Sequence, residues 1–152
     1  MTAPVFVDTN VFVYALDASE PEKQRQAAAW LDELWARRAG RTSFQVLQEL
    51  YVNLTRKLTR PVAEADARTV TRALLTWSPS PPDAACLDRA WELQDRYGLS
   101  WWDSLIVASA GLQGCRYLLT EDLQPGQDLA GVVVVDPFAV APAELLGDRL
   151  EP

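Results

Sequence analysis

Three short apolar runs mark the chain, at residues 5–7, 115–119 and 132–135. Valine dominates the first and the last run, and all three are too short for a buried helix. Runs of this kind are typical of strands that are buried on both faces of a parallel sheet. The pattern therefore predicts three core strands, with briefer strands at residues 41–43 and 75–78.

Between these runs, apolar residues recur at helical spacing. The spacing predicts helices at residues 11–16, 20–40, 44–61, 63–75, 83–98, 104–112 and 143–150, with Thr9 or Asn10 capping the first and Asp83 the fifth. The helix at residues 104–112 is apolar on most sides, which indicates a central position. Alternating strands and helices favour an α/β fold with a mostly parallel sheet and helices on both faces. The length suits a single domain, residues 1–152.

The composition narrows the possible chemistry. The chain has no histidine, which excludes Ser-His and Cys-His nucleophiles as well as histidine-ligated zinc. The two cysteines, Cys86 and Cys115, are isolated, so both are expected to be free, buried thiols. No apolar run reaches the roughly 18 residues that span a bilayer, and the N-terminus lacks a signal-peptide pattern. We therefore expect a cytoplasmic protein without a membrane partner.

The net charge is -7, which by itself argues against binding to a polyanion. The charge is unevenly distributed, however. Residues 37–72 contain eight basic and three acidic side chains, a local net charge of +5 that leaves -12 for the rest of the chain. The basic region is explained either by a surface that faces a phosphate backbone or by ordinary solvated helix faces.

Four carboxylates occupy positions that this topology would bring together. Asp8 and Asp122 each follow a predicted buried strand, and parallel strands end at a common edge of the sheet. Asp103 begins the helix that precedes the strand before Asp122, so we expect it near the same edge. The spacing does not decide whether Glu49, on an earlier helix, joins them. Each residue alone also has an ordinary explanation, as a helix cap, a turn residue or a solvated side chain.

Crowded carboxylates repel one another, and a divalent cation relieves that repulsion. In a chain without histidine the ligands must be oxygen atoms, which suit Mg²⁺ or Mn²⁺. Such an ion can lower the pKa of a bound water and stabilise charge on a scissile phosphate. We therefore interpret the acidic positions as a candidate metal-dependent hydrolytic site.

Four segments around these carboxylates carry a resemblance to a known family. They are Val-Asp8-Thr-Asn10, Ser43-Phe-Gln-Val-Leu-Gln-Glu49-Leu-Tyr, Trp102-Asp103-Ser-Leu-Ile-Val-Ala and Leu119-Thr-Glu-Asp122-Leu-Gln. With these motifs the chain resembles PIN-domain ribonucleases from Val5 to about Pro137, in particular the VapC-like toxins of bacterial toxin–antitoxin pairs. The resemblance implies a three-layer α/β/α sandwich around a mostly parallel, about five-stranded sheet.

The resemblance also implies an activity, site residues and partners. It implies Mg²⁺- or Mn²⁺-dependent cleavage of RNA, a cognate antitoxin and a homodimer. Asp8, Glu49, Asp103 and Asp122 match the catalytic, metal-binding carboxylates. Asn10 and Thr120 match positions that support the site by hydrogen bonding. From the basic region, we expect Arg56, Lys57 and Arg60 to hold RNA phosphates.

Two other functions compete with this interpretation. A phosphatase with an aspartyl nucleophile needs a second aspartate two residues after the first, where this chain has Asn10. A PIN-fold module that binds RNA or protein without catalysis would keep the fold, but the presence of all four acids argues against it. Trp101 and Trp102, next to Asp103, are explained either by packing beneath the site or by stacking on an RNA base.

Overall fold

The centre of the molecule is a five-stranded sheet with the strand order β2-β1-β3-β5-β4. The computed structural model describes residues 2–148. The strands are β1 (Val5–Val7), β2 (Gly40–Arg41), β3 (Tyr117–Leu119), β4 (Asp128–Leu129) and β5 (Val132–Val135). All neighbours pair in parallel except β4, which runs antiparallel to β5. The mostly parallel sheet of the sequence prediction is therefore confirmed.

Helices cover both faces of this sheet, which gives the predicted three-layer α/β/α sandwich. In the described part of the chain they are α1 (Thr9–Tyr14), α2 (Pro21–Arg37), α3 (Phe44–Val52), α4 (Glu64–Ala73), α5 (Ala84–Tyr97), α6 (Trp101–Leu112) and α7 (Pro142–Leu146). Residues 104–110 of α6 are all buried, so the predicted central position of this helix is correct. None of the described helices is both long enough and apolar enough to cross a membrane.

The register of the three central strands makes them end level with one another. Val7 lies opposite Leu119, and Leu119 lies opposite Val135. The ladder continues one residue further, because the Asp8 amide donates to the Leu119 carbonyl at 3.0 Å. The polar residues that follow β1 and β3 therefore meet at one edge of the sheet.

Several predicted boundaries move. α1 begins at Thr9, and its cap is Asp8, not Thr9 or Asn10. Residues 75–78 are not a strand, since Leu74–Trp77 is a 3₁₀ turn that buries Trp77. The third helix ends earlier than Pro61, because α3 passes into a π-helical turn at Asn53–Lys57. α6 begins at Trp101 behind a Ser100 cap, and residues 149–150 of the last predicted helix lie outside the described residues.

The edge strand β4 was missed by the sequence prediction. It forms a two-residue hairpin with β5, in which Ala130 and Gly131 both have positive φ angles of 53° and 96°. Tight hairpins of this type are usually encoded by Asn-Gly or Asp-Gly, whereas Ala-Gly is a weak signal. The hairpin is held instead by side chains, since Asp128 Oδ1 accepts from the Gly131 amide at 2.7 Å and the Tyr97 hydroxyl accepts from the Ala130 amide at 2.9 Å.

Gly40 does not end helix α2, as the sequence suggested, but lies inside β2 against an aromatic cluster. The helix ends at Arg38, which adopts the left-handed conformation with a φ of 54°. The ring of Trp77 packs directly on Gly40, so a Cβ there would overlap the indole. Trp77 is in turn held by Phe12 and Trp35, with ring centroids 5.6 and 5.2 Å away.

Cys86 and Cys115 are buried and free, as predicted. Burial raises the pKa of the Cys115 thiol to about 12, which keeps it protonated. These thiols are therefore inert parts of the core.

Gly40→Ala is expected to lower the free energy of unfolding by about 1–3 kcal/mol, because the new methyl group displaces the Trp77 ring. Gly111→Ala is the matched control. A Cβ at this position of α6 would meet Val132 at an ordinary 3.6 Å, and alanine favours the helix by roughly 0.5–1 kcal/mol. Urea denaturation of both variants measures the difference. Equal effects on stability would contradict the assigned packing of Trp77.

Candidate active site

Asp8 and Thr120 meet where β1 and β3 end. Asp8 is only 7% exposed and Thr120 is fully buried. The Thr120 hydroxyl donates to Asp8 Oδ2 at 2.8 Å, and the Thr9 amide donates to Asp8 Oδ1 at 2.7 Å. Both carboxylate oxygens are thus fixed by neutral donors, one on the neighbouring strand and one at the start of α1. The ordinary role of Asp8 as a helix cap is real, and it coexists with the position at the sheet edge.

Glu49 is connected to Asp8 through a single residue, Thr9. The Thr9 hydroxyl donates to Glu49 Oε2 at 2.7 Å, while its amide holds Asp8. The other oxygen of Glu49 accepts from Gln45 Nε2 at 3.1 Å, one helical turn earlier on α3. The spacing of the sequence left open whether Glu49 joins the other acids. The structure brings it to Asp8 by this hydroxyl bridge.

Asn10 connects the buried and the exposed parts of the site. Its Nδ2 donates to Thr120 Oγ1 at 3.1 Å and to Asp122 Oδ2 at 3.0 Å. The Asp122 amide also donates to the Thr120 hydroxyl oxygen at 3.1 Å. The predicted supporting positions therefore lie between Asp8 and Asp122. Asn10 is a donor to its neighbours at the place where a phosphatase of the competing type needs an acid.

Asp103 lies in the first turn of α6, where its amide donates to the Ser100 cap at 3.2 Å. Its negative charge contributes to the electrostatic field at Asp122. Because α6 precedes β3 and packs against it, the start of the helix faces the edge at which β3 ends. Asp103 is thus linked to the other carboxylates by charge, and not by a bridging side chain such as Thr9 or Asn10.

Burial and like charges both disfavour ionisation here. Loss of water raises the pKa of the Asp8 carboxyl from 3.8 to about 6, against the hydrogen bonds from Thr120 and Thr9, which lower it. The charges of Asp122 and Glu49 make smaller contributions to the same rise in the pKa of Asp8. The pKa of Asp122 is also raised, first by partial desolvation and then by neighbouring carboxylates that include Asp103 and Glu49.

Within the described part of the chain, no cationic side chain forms an ion pair with a carboxylate of this site. Among residues 2–148, the ion pairs are Lys23–Glu121, Glu33–Arg37, Glu64–Arg68 and Arg89–Glu92, and none includes a carboxylate of the site. One buried polar atom, Asn10 Oδ1, also lacks a hydrogen-bond partner. An uncompensated acidic group with only oxygen donors fits a hard divalent cation in charge and in donor chemistry.

The carboxylates do not, however, form a ready-made cage. Within the described residues, no three His, Cys, Asp or Glu side chains are close enough together to hold one metal ion. The expectation of one tight pocket of acids is therefore too simple. Threonine and asparagine side chains occupy the space between the acids and set their separation.

The basic region divides into structural and free cations. Arg37 pairs with Glu33 and donates to the carbonyls of Leu146 and Gly147, so it ties α2 to the C-terminal segment. Three cations are exposed around the π-helical turn that follows α3, namely Arg56, Lys57 and Arg60. Because Glu49 lies on α3, this turn extends the element that contributes to the site.

Sequence reasoning missed two residues of the site. Thr9 was read only as a possible helix cap, although its hydroxyl joins two carboxylates. Gln45 was not considered, and it lies four residues before Glu49, the spacing at which helical side chains meet. That spacing was a usable signal for Gln45, whereas the reach of Thr9 to Glu49 depends on how α1 packs against α3.

Asp8→Asn is expected to stabilise the metal-free protein near neutral pH by up to about 3 kcal/mol. The unfolded chain releases the Asp8 proton near pH 3.8 and the folded chain near pH 6, so wild-type stability falls as the pH rises through this range. Urea denaturation in a chelator should reveal a gap between variant and wild type that widens up to about pH 6 and is then constant. Asp95→Asn, an exposed carboxylate on α5, is the control. A variant that is less stable than the wild type at every pH would contradict the conclusion that the buried, ionised Asp8 carboxylate destabilises the fold.

Comparison with known proteins places this geometry in a family. The sequence profile of the PIN domain matches residues 5–127. No curated protein sequence is significantly similar to the chain.

Similar solved structures include proteins from three bacteria. A toxin–antitoxin complex from Klebsiella pneumoniae has a TM-score of 0.60 at 21% identity, covering 89% of this chain and 98% of that one. VapBC2 from Rickettsia felis, bound to a promoter DNA fragment, has a TM-score of 0.58 at 17% identity, covering 86% of this chain and 96% of that one. The Mycobacterium tuberculosis VapC20 toxin, which cleaves the sarcin–ricin loop, has a TM-score of 0.54 at 22% identity, covering 78% of this chain and 89% of that one. At these identities the likeness establishes a shared fold. Together with the profile match over most of its length, it means that the chain belongs to the PIN domain family.

Proposed function

We propose that this protein is a metal-dependent endoribonuclease that cleaves RNA phosphodiester bonds as the toxin of a toxin–antitoxin pair. The observation that carries the proposal is the joined set of uncompensated carboxylates where the parallel strands end, in a chain of the PIN domain family. One structure of similar fold is a toxin that cleaves the sarcin–ricin loop, which supports RNA as the substrate.

The cofactor of this proposal is Mg²⁺ or Mn²⁺. Asp8 and Asp103 would hold the principal ion, with Asp122 completing the site or orienting water, and Glu49 would bind a second ion or act through water as the general base. When bound, the ion would lower the pKa of a water and stabilise negative charge on the scissile phosphate. Mg²⁺ keeps several of its waters and binds through one or two carboxylates plus substrate phosphates, so it does not need a cage of three acids.

The chain itself supplies orientation. Thr120 and the Thr9 amide hold both oxygens of Asp8, so its carboxylate cannot rotate away from the edge of the sheet. Asn10 holds one oxygen of Asp122, since its Nδ2 donates to Oδ2. Glu49 keeps the hydrogen bonds from Thr9 and Gln45, and its half-buried carboxylate remains able to accept a proton from water. Fixed donors of this kind reduce the reorganisation that catalysis requires.

RNA binding is assigned to the exposed cations around the turn after α3, Arg56, Lys57 and Arg60. Each is free of an ion-pair partner within residues 2–148, so its charge is available to a phosphate. The chain outside residues 37–72 has a net charge of -12, which disfavours contact with the RNA backbone elsewhere. The proposed approach of the substrate is therefore over this basic turn, which directly follows the helix that carries Glu49.

The partners that we propose rest on the resemblance to VapC-like toxins, and the cytoplasmic setting rests on the composition. We assign it a cognate antitoxin and a homodimeric state, in the cytoplasm, with the whole chain forming a single PIN-like domain. Two of the structures of similar fold are toxin–antitoxin assemblies, which supports the antitoxin.

A catalytically silent PIN-fold module that binds RNA or protein is the second candidate. The observation in its favour is that no three acids converge on one point in the described part of the chain. Metal-dependent cleavage separates the two candidates directly.

Asp8→Asn is expected to reduce RNA cleavage to background without unfolding the protein, because it removes the central charge and keeps the shape of the side chain. Cleavage of a labelled RNA in Mg²⁺ or Mn²⁺ measures the effect, with circular dichroism as the check on folding. Asp95→Asn should cleave the RNA at the wild-type rate. A chelator should abolish cleavage by both the wild type and Asp95→Asn. Metal-dependent cleavage that persists in the Asp8→Asn variant would refute the assignment of the site.

A further inference from the structure

A cavity of about 400 Å³ opens beside Glu49, between α3, α6 and the loop at residues 78–82. Its size lies in the range of small-ligand pockets, roughly 300–1,000 Å³. Most of its wall is apolar, and its lining includes the amides of Gln45 and Gln48 and the carboxylate of Glu49. The residues that matter for a ligand are Gln45, Gln48, Glu49, Pro81, Trp102 and Leu105. The cavity therefore suits a flat, partly polar group that enters next to the carboxylates.

Trp102 stands at the mouth of this cavity with 63% of its surface exposed. The sequence left open whether Trp101 and Trp102 pack beneath the site or stack on a base, and the two indoles differ. Trp101 packs against the core and stacks on Trp91, with ring centroids 5.8 Å apart and planes 28° apart. Trp102 lines the cavity and remains largely exposed, and an exposed aromatic side chain next to polar groups is a typical platform for a nucleobase.

The opposite wall of the cavity is rigid. Ser80 pairs with the segment before α3 through two backbone bonds, its amide to the Thr42 carbonyl at 3.2 Å and its carbonyl to the Phe44 amide at 3.0 Å. Its hydroxyl also hydrogen-bonds to the Ser109 hydroxyl on α6 and accepts from Gln113 Nε2 at 3.2 Å. Pro81 and Pro82 follow with restricted backbone angles. A preformed wall lowers the entropy that is lost when a ligand binds.

Gln45 couples the cavity to the proposed catalytic group. Its Nε2 donates to Glu49 Oε1 at 3.1 Å and is 3.4 Å from the Trp102 carbonyl oxygen that it also faces. A ligand that rests on Trp102 therefore lies near Glu49, the charged residue of the cavity lining. The exposed amide of Gln48 can both donate to and accept from the edge of such a ligand.

We propose that this cavity binds one unpaired nucleobase of the RNA, stacked on Trp102, so that the adjoining phosphate lies at the carboxylates. The inference rests on the proposed nuclease function and adds a base-binding subsite to it. A base inside a duplex is stacked and paired, and it cannot enter the cavity unless it is extruded. The enzyme accordingly selects single-stranded or looped RNA. Stacking on Trp102 tolerates different bases, and the contact with Gln48 sets the preference among them.

Trp102→Ala tests this inference on the full-length protein. With a short single-stranded RNA whose cleavage site is mapped with the wild type, we expect kcat/KM to fall roughly 5- to 150-fold, the effect of losing one base–aromatic stack. Trp102→Phe should recover most of the loss. The matched control is Trp91→Ala, which removes another exposed tryptophan of the same region that does not line the cavity. Thermal unfolding of each variant checks that folding is intact.

An RNA with an abasic nucleotide next to the scissile phosphate supplies a second arm. The wild type should lose about as much activity on it as Trp102→Ala loses on intact RNA, and the variant should lose little more, because the same stack is already gone. The intact sequence placed within a duplex should be cleaved far more slowly than the single strand.

The outcomes separate the two proposals. If the wild type cleaves RNA and Trp102→Ala resembles Trp91→Ala, or if duplex and single strand are cleaved alike, the base cavity is refuted and the nuclease stands. If the wild type cleaves no RNA with either metal, the nuclease is refuted. Fluorescence anisotropy of single-stranded RNA with the wild type, Trp102→Ala and Trp91→Ala then decides the cavity. Only a base bound on Trp102 makes the affinity fall in Trp102→Ala and not in Trp91→Ala.

Discussion

The hydrogen bond from the Thr120 hydroxyl to the Asp8 carboxylate joins the ends of two neighbouring parallel strands at 2.8 Å. Its position is set by the register of β1 and β3, which places Val7 opposite Leu119 and so brings the next two residues together. A carboxylate that is buried in this way must be compensated, and here it receives only neutral donors. The rest of the site is arranged around the charge that remains.

This arrangement of the site destabilises the folded protein. Asp8 is ionised at neutral pH although its pKa is raised to about 6, and the charges of Asp122 and Glu49 oppose it. A lysine or arginine in the site would relieve that repulsion and would also compete with a cation. The use of Thr9, Asn10 and Thr120 instead holds the acids in place without neutralising them, as expected of a site that trades stability for function.

Much of the fold could be predicted because it depends on patterns that are local in sequence. The runs Val5–Val7 and Val132–Val135 are buried strands, and the apolar helix before β3 is central. β4 could not be found, because its turn uses Ala130-Gly131 and relies on Asp128 and on the distant Tyr97. The role of Gly40 was misread for the same reason, since it is required by the Trp77 ring.

Parts of the site could likewise be predicted from the sequence, and other parts could not. The prediction that Asp8, Asp103 and Asp122 lie near one edge came from the parallel direction of the strands and the direction of the helix before β3. The contact between Thr9 and Glu49 could not be predicted in this way, because it joins residues 40 positions apart through the packing of α1 on α3. The exposure of Trp102 beside a buried neighbourhood was equally beyond the sequence, since both tryptophans begin the same helix and only the tertiary contacts distinguish them.

The central claim is that this uncompensated charge binds a divalent cation. Titration of Mn²⁺ into the metal-free protein near neutral pH, followed by calorimetry and by thermal unfolding, tests it most directly. The account predicts heat of binding and a melting temperature that rises with the Mn²⁺ concentration. At a free Mn²⁺ concentration of a hundred times Kd, the free energy of unfolding should increase by about 2.7 kcal/mol. Both effects should be lost in Asp8→Asn. Absence of heat together with an unchanged melting temperature in the wild type would contradict it.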